Sequence, residues 1–296
     1  MRRVGFITLG GAAVLALAVS AWAGSASEEA RTSSSGATPL EEVTAKDYDR
    51  ENFGNSTKVD NKWFPLRPGA QLVFRGTTTE GKETIAHRVI FTVTDLTKEI
   101  DGVRNVVLWD RDYSSGKLVE AEIAFFAQDD AGNVWQLGEY PEEYENGKIV
   151  KSPLWIHGLQ GARAGLTMRA VSREGTPSYS LGWGPAVGFN DRSKVLRTGT
   201  KTCVPLGCYT NVLVMNEFNP DEPGKHQLKY YARGVGNVRV GWAGTNEDTN
   251  ETLVLVEVNR LGAQAMARAR AAARKLEASA YERRKVYSET PPLERG

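Results

Sequence analysis

The sequence predicts a mainly β protein, an antiparallel meander forming a curved sheet, half-barrel or barrel, with a C-terminal α-helix. Three observations carry this expectation. Between Asn105 and Tyr140, the apolar positions Val119, Ala121, Ile123, Phe125 and Ala127 alternate with a polar or mixed set including Glu120, Glu122, Phe126 and Gln128. That is the period-2 pattern of a strand. Tight-turn signals at Ser114–Gly116, Asp129–Asn133 and Asn146-Gly147 punctuate the pattern at strand-length intervals. From Leu261 the period changes: Leu261, Ala265, Ala269, Ala272, Leu276 and Ala280 follow the three-to-four spacing of a helix.

The opening residues predict export. Met1-Arg2-Arg3 is basic, Val4 to Val19 is apolar, and Ala21-Trp22-Ala23 fits the small-x-small cleavage pattern of a secretory signal peptide. An apolar run of roughly 17 residues is short for a membrane span, and an uncleaved anchor is the alternative. No cysteine follows the run, which argues against lipid attachment. The expected organisation is a signal peptide over 1–23, a flexible Ser/Ala/Glu/Thr-rich spacer over 24–46, an antiparallel β domain over 47–260, and a basic helix with a disordered tail over 261–296. The expected location is secreted, periplasmic or cell-envelope. A net charge of +1 over 296 residues gives no electrostatic argument for nucleic acid as a partner.

Trp63-Phe64-Pro65-Leu66-Arg67-Pro68-Gly69 leads into the first strand at Gln71–Arg75, with Trp63 and Phe64 expected over one end of the sheet. The prolines confine this stretch to an edge or entry corner. In the next strand Ile85, His87, Val89, Phe91 and Val93 share one face, so His87 is expected among apolar neighbours, either as a neutral core histidine or as a functional group. Residues 158–188 are rich in Gly, Ala and Pro without clear periodicity and predict a long excursion. Within or beside it, Trp155, Tyr179, Trp183 and Phe189 are candidates to line a ligand pocket mouth. The other reading has aromatics of this loop plugging one end of a barrel. Cys203 and Cys208 flank the Val204–Gly207 turn and predict a hairpin disulfide in an oxidising compartment, worth roughly 2 kcal/mol for so short a loop. Half of a metal site is the alternative there. Further strands are expected at 194–202, 209–217, 227–232, 235–242 and 252–259.

Four phrases occur together and in order: Trp63–Gly69, then Ala127–Glu139 (AQDDAGNVWQLGE), then Val204–Gly207 with Asn211–Val214, then Tyr230–Gly236 (YYARGVG). As a set they resemble a family of exported bacterial β-rich proteins without an assigned activity. The resemblance spans roughly residues 61 to 242 and implies a β-rich exported domain, without bringing a catalytic assignment. The chain departs from the family at Ala121 and Ala124, where acidic residues are frequent, and at Arg233, where proline is usual. Its two cysteines are also atypical.

Catalytic motifs are sparse. Paired carboxylates for glycosidase-type chemistry are represented by Asp110, Asp112 and Glu122, which are equally read as solvated surface charges. Asp110 and Glu122, with His87, are the candidates for a hydrolase or lyase. His157 and His226 lie in or beside loops and read as surface residues. No nucleophile elbow and no zinc-ligand spacing is present, so no metal and no cofactor is expected. The reading favoured by the sequence is a binding module for a small apolar or amphipathic molecule. Arg268, Arg270, Arg274, Lys275, Arg283, Arg284 and Lys285 allow peripheral contact with an anionic envelope, although a mostly alanine stripe gives weak membrane affinity and favours a solvated helix lying on or beyond the barrel.

Overall fold

The computed structural model describes residues 44–80, 83–245 and 250–296. The signal peptide and nearly all of the spacer lie outside the described residues. The strands are β1 (Ala70–Glu80), β2 (Glu83–Ile100), β3 (Val103–Ser114), β4 (Lys117–Gln128), β5 (Val134–Glu145), β6 (Lys148–Lys151), β7 (Trp155–Ile156), β8 (Arg163–Met168), β9 (Tyr179–Ser180), β10 (Gly182–Trp183), β11 (Arg192–Val204), β12 (Gly207–Phe218), β13 (His226–Ala232), β14 (Gly236–Ala243), β15 (Glu251–Arg260) and β16 (Glu294–Arg295). One helix, α1 (Ala263–Arg283), follows β15.

The strands run antiparallel in the order β10-β8-β5-β4-β3-β2-β1-β15-β14-β13-β12-β11-β9. The two ends of this order are β9 and β10, which are separated in sequence by Leu181 alone. Tyr179 and Ser180 pair with β11, while Gly182 and Trp183 pair with β8. A single five-residue segment therefore bridges the two edges and makes the sheet a nearly closed barrel. The region predicted as a structureless excursion is this seam. Apart from the six-residue β8, its strands are only two residues long, too short for a period to show.

Turn chemistry sets the meander's register. Asp101-Gly102, Ser115-Gly116 and Asn146-Gly147 each hold two successive positive φ angles, the mirror-image turn that matches strand twist. In the β4–β5 loop, Asp129 accepts hydrogen bonds from the Asn133 backbone N–H and from Trp135 Nε1, each at 2.8 Å. Cys203 and Cys208 are cross-strand partners and are joined by a disulfide, as expected.

Both faces of the meander are covered. Residues Ala121–Ala127 are buried without a break. On the outer face Ile123 pairs with Tyr140, whose hydroxyl meets Ser279 on α1 at 3.4 Å. Ala269, Ala273, Leu276 and Ala280 are buried on the helix. The helix thus lies on the barrel, one of the two expected placements, with one face packed on the sheet and the other toward solvent. Beyond it, Leu293 is buried and β16 pairs with β2, so the expected disordered tail is ordered. Lys98 Nζ, itself buried, donates to Glu277 Oε1 at 2.9 Å and to the Pro291 carbonyl at 2.6 Å, and lies 4.1 Å from the Tyr287 ring centre. Glu277 also accepts the Leu293 N–H at 2.8 Å.

Glu277→Ala strands the buried Lys98 ammonium, and a loss of about 3–5 kcal/mol is expected in denaturant unfolding. At the seam, a methyl group on residue 165 would sit 2.1 Å from Gly182 N. Gly165→Ala is therefore expected to cost about 3 kcal/mol and to expose the seam to amide hydrogen exchange. Gly262→Ala, which meets nothing within 4 Å, should change stability by less than about 1 kcal/mol.

Candidate functional site

The barrel interior changes character along its axis, and the strands show how. On β2 the inward series runs Val93, Phe91, Val89, His87. On β3 it runs Leu108, Asp110, Asp112, and on β4 Phe126, Ala124, Glu122, Glu120. Register pairs Leu108 with Ala124, Asp110 with Glu122 and Asp112 with Glu120. One end of the interior is apolar and the other acidic.

The apolar end contains a cavity of about 70 Å³ lined by Phe64, Leu72, Phe91, Val93, Leu108 and Phe126, among others. It is closed over by the Trp63–Leu66 stretch, whose neighbour Lys62 accepts the Gly234 N–H at 2.8 Å. Phe64 packs on Phe126 and Tyr231 with ring centres 5.4 and 6.3 Å apart. The expectation that Trp63 and Phe64 cover one end of the sheet is met.

The acidic end is built by β3, β4 and β5, with a matching wall across the interior. Asp110, Asp112, Glu120, Glu122 and Glu139 are all buried, Glu122 to 3% exposure and Glu139 to 1%. Asp110 Oδ1, Glu120 Oε1 and Glu122 Oε2 have no hydrogen-bond partner among the described residues. Lys229 on β13, 1% exposed, pairs with Glu217 on β12. Its charge is felt by Glu122 on β4, six strands away in the sheet order. An attraction between strands so far apart in the sheet order fits groups that face one another across the barrel interior.

Two carboxylates directly opposite one another on adjacent strands cannot both ionise cheaply in a dry interior. Burial, followed by repulsion from Glu122 and Asp112, pushes Asp110 well above the usual carboxylate range. Burial and then Glu122 do the same to Glu139. Glu122 is raised to about 8 by burial, against the pull of Lys229. Asp191 is raised to about 7 by burial and then by Glu217, again opposed by Lys229.

His87 stands at this end. Burial opposes its positive charge, but hydrogen bonding and attraction from Asp112 and Glu251 outweigh it and raise the imidazole to about 10. Its Nε2 lies 3.2 Å from Asp112 Oδ1 and 2.8 Å from Glu251 Oε1. Among the described residues, these three side chains form a set able to hold a metal ion.

The sequence-predicted residues fall into two groups. His87, Asp110 and Glu122 converge in the lumen, where Asp110, Asp112 and Glu122 are buried and not solvated. Trp155, Tyr179, Trp183 and Phe189 do not line the apolar cavity. Trp155 and Phe189 stack at 4.9 Å against the glycines of the seam. Tyr179 is buried with the Arg169 guanidinium 4.4 Å from its ring centre, and Trp183 is exposed. Trp155 does line a small second cavity with Leu154, Leu159 and Val286. His157 and His226, read as surface residues, are half-buried. His157 Nδ1 accepts the Ala164 N–H at 2.9 Å, and His226 Nδ1 lies 3.0 Å from Asn216 Oδ1. Sequence reasoning missed Glu139, Asp191, Glu217, Lys229 and Glu251. The one local signal was the pair of i, i+2 acidic doublets, Asp110/Asp112 and Glu120/Glu122, placed symmetrically about a two-residue turn.

Fold and interior together define a nearly closed antiparallel β-barrel with an outer helix and a lumen divided between an apolar and an acidic half. No family profile and no curated protein matches the chain. Among solved structures it is similar to a protein of Bacteroides fragilis considered exported, with a YmcC-like fold, at TM-score 0.38 and 13% identity. It is also similar to a protein of Parabacteroides distasonis considered a lipoprotein, at TM-score 0.36 and 12% identity. In each case 68% of this chain covers 100% of the other.

The lumenal acids fix the sign of the pH response. Their folded pKa values lie above those of the unfolded chain, so their contribution is whole below about pH 4 and is lost as pH rises through the folded values. For Asp191 and Glu122 these are about 7 and about 8. The groups facing Glu122 are Asp110, Glu120, Glu139 and Lys229. Melting temperature is expected to fall between about pH 6 and pH 9, and Glu122→Gln, which mimics the protonated acid, should flatten that fall. A melting temperature that rises over this interval contradicts the assignment.

Proposed function

We propose that the protein is an exported binding module of the cell envelope whose barrel receives the apolar part of a small apolar or amphipathic molecule. The observation that carries this reading is the apolar cavity beneath Phe64, set where the lumen wall passes from Leu108 and Phe126 to Asp110 and Glu122. An amphipathic molecule bound there has its polar end facing the acids one inward position further along, about 7 Å away. At about 70 Å³ the cavity is roughly half the ~150 Å³ of an engineered cavity that admits benzene. The ligand therefore inserts a short group, or displaces Phe64 and its loop on entry. The leader sequence and the disulfide support export.

Native mass spectrometry of protein purified from its own host tests the proposal directly. A co-purified lipid or polyol is the expected result, and octanol should bind wild type but not Leu108→Trp, which fills the cavity. Empty protein that also ignores octanol overturns it.

A second reading, an envelope hydrolase using Asp110, Glu122 and His87, draws on the raised protonation of facing carboxyls in one lumen. Asp110→Asn separates the two. A binder keeps octanol affinity, whereas a hydrolase loses turnover in a screen of esters and polymers.

A further inference from the structure

His87, Asp112 and Glu251 come from β2, β3 and β15, and one donor atom from each lies within 4.8 Å of the other two. His87 Nε2 faces Glu251 Oε1 at 2.8 Å and Asp112 Oδ1 at 3.2 Å. One ring N–H cannot be aimed at two oxygens on different strands, and both His87 Nε2 and Asp112 Oδ1 are buried without a well-directed hydrogen bond. Tetrahedral donors at about 2.0–2.2 Å from a zinc ion lie roughly 3.3–3.6 Å from one another, so the 3.2 Å pair is near a coordination edge and the 2.8 Å pair opens by roughly half an ångström to admit the ion.

We propose that His87 Nε2, Asp112 Oδ1 and Glu251 Oε1 form a three-ligand site for a divalent transition-metal ion of the zinc class.

The groups behind the donors fit that role. Ser114 Oγ lies 3.4 Å from His87 Nδ1. When Nδ1 carries the proton and donates to this hydroxyl, Nε2 presents its lone pair to the ion. Gln227 Nε2 donates to Glu251 Oε2, which holds the carboxylate in place and leaves Oε1 turned toward His87. Outer partners of this kind are the usual means of orienting metal ligands. The charges also balance, because two carboxylates and a neutral imidazole neutralise a dication. One nitrogen and two carboxylate donors suit zinc, manganese or ferrous ions, while calcium requires six to eight oxygens and Cu(I) prefers sulfur. Three protein donors leave a fourth position for water. Glu251, with 13% of its side chain exposed, is the donor nearest solvent and marks the way in, whereas His87 and Asp112 are buried. The site lies in the acidic half of the lumen and does not depend on the apolar cavity.

The test uses the full chain, stripped with a chelator and then exposed to zinc chloride, manganese chloride or calcium chloride alone. One equivalent of zinc is expected to survive desalting by elemental analysis and to raise the melting temperature, with calcium inert. Asp112→Asn and Glu251→Gln should each weaken zinc binding by at least ~100-fold, while Glu51→Gln, at a side chain 79% exposed, should not. Cobalt(II) gives a second readout, with visible bands in wild type that are lost in His87→Gln. Stripped wild type that neither retains zinc nor melts higher with zinc or manganese overturns the proposal and leaves His87 as an imidazolium bridging two carboxylates. Variants that bind zinc like wild type overturn it equally.

Discussion

The pairing of Tyr179–Trp183 to both edges of the sheet is the constraint on which the interior depends. The segment hydrogen-bonds to β11 through its first residues and to β8 through its last. Closure leaves the inward side chains of β2, β3 and β4 facing those of β12 and β13 and not bulk water. In an open sheet Asp110, Glu120 and Glu122 would be ordinary solvated acids. Inside the closed sheet their charged forms are penalised, and protons are held far above the pH at which carboxylates normally release them. The seam itself depends on absent side chains, because a Cβ on Gly165 would strike the Leu181–Gly182 backbone and one on Gly182 would strike the Trp155 and Phe189 rings.

Two layers divide the work of stability and of chemistry. The outer layer, between the sheet and α1, is apolar and holds Tyr140, Leu276, Ala273 and Tyr287. Each large side chain buried there contributes about 1.5–3 kcal/mol. Its buried ion pair, Lys98 with Glu277, ties the end of the described chain to β2 through Pro291 and Leu293, and the half-buried Arg270–Asp95 pair links α1 to the same strand. The inner layer has room for polar groups because the outer one supplies hydrophobic burial of its own. That division explains why β4 is buried on both faces although only one of them is apolar.

Much of the architecture was legible in the sequence. The turns at Ser115-Gly116 and Asn146-Gly147, the alternation along β4 and the helical spacing after Leu261 all encode local geometry that local residues determine. The burial of the second face was not legible. A strand with Glu120, Glu122 and Gln128 on one side reads as half-exposed, since periodicity reports the polarity of a face and not what lies opposite it. The seam was hidden for a different reason: two-residue pairings carry no period, so nothing in the sequence showed that Trp155 and Phe189 pack against its glycines. The grouping of His87 with Asp112 and Glu251 had no sequence signature, because spacing rules apply within a loop or helix and these residues are joined only by sheet register. His87 itself was visible as an ionisable residue on an apolar face, and the structure gives it the partners that face could not show.

The seam also bears on where the barrel yields. Most neighbouring strands are stitched over long registers, whereas β9 and β10 hold their partners by two residue pairs each. The β14–β15 junction, with two registered pairs of its own, is as short. Parting at either stitch would put the acidic half of the lumen in contact with water, and of the two the Leu181 junction also joins the two ends of the strand order.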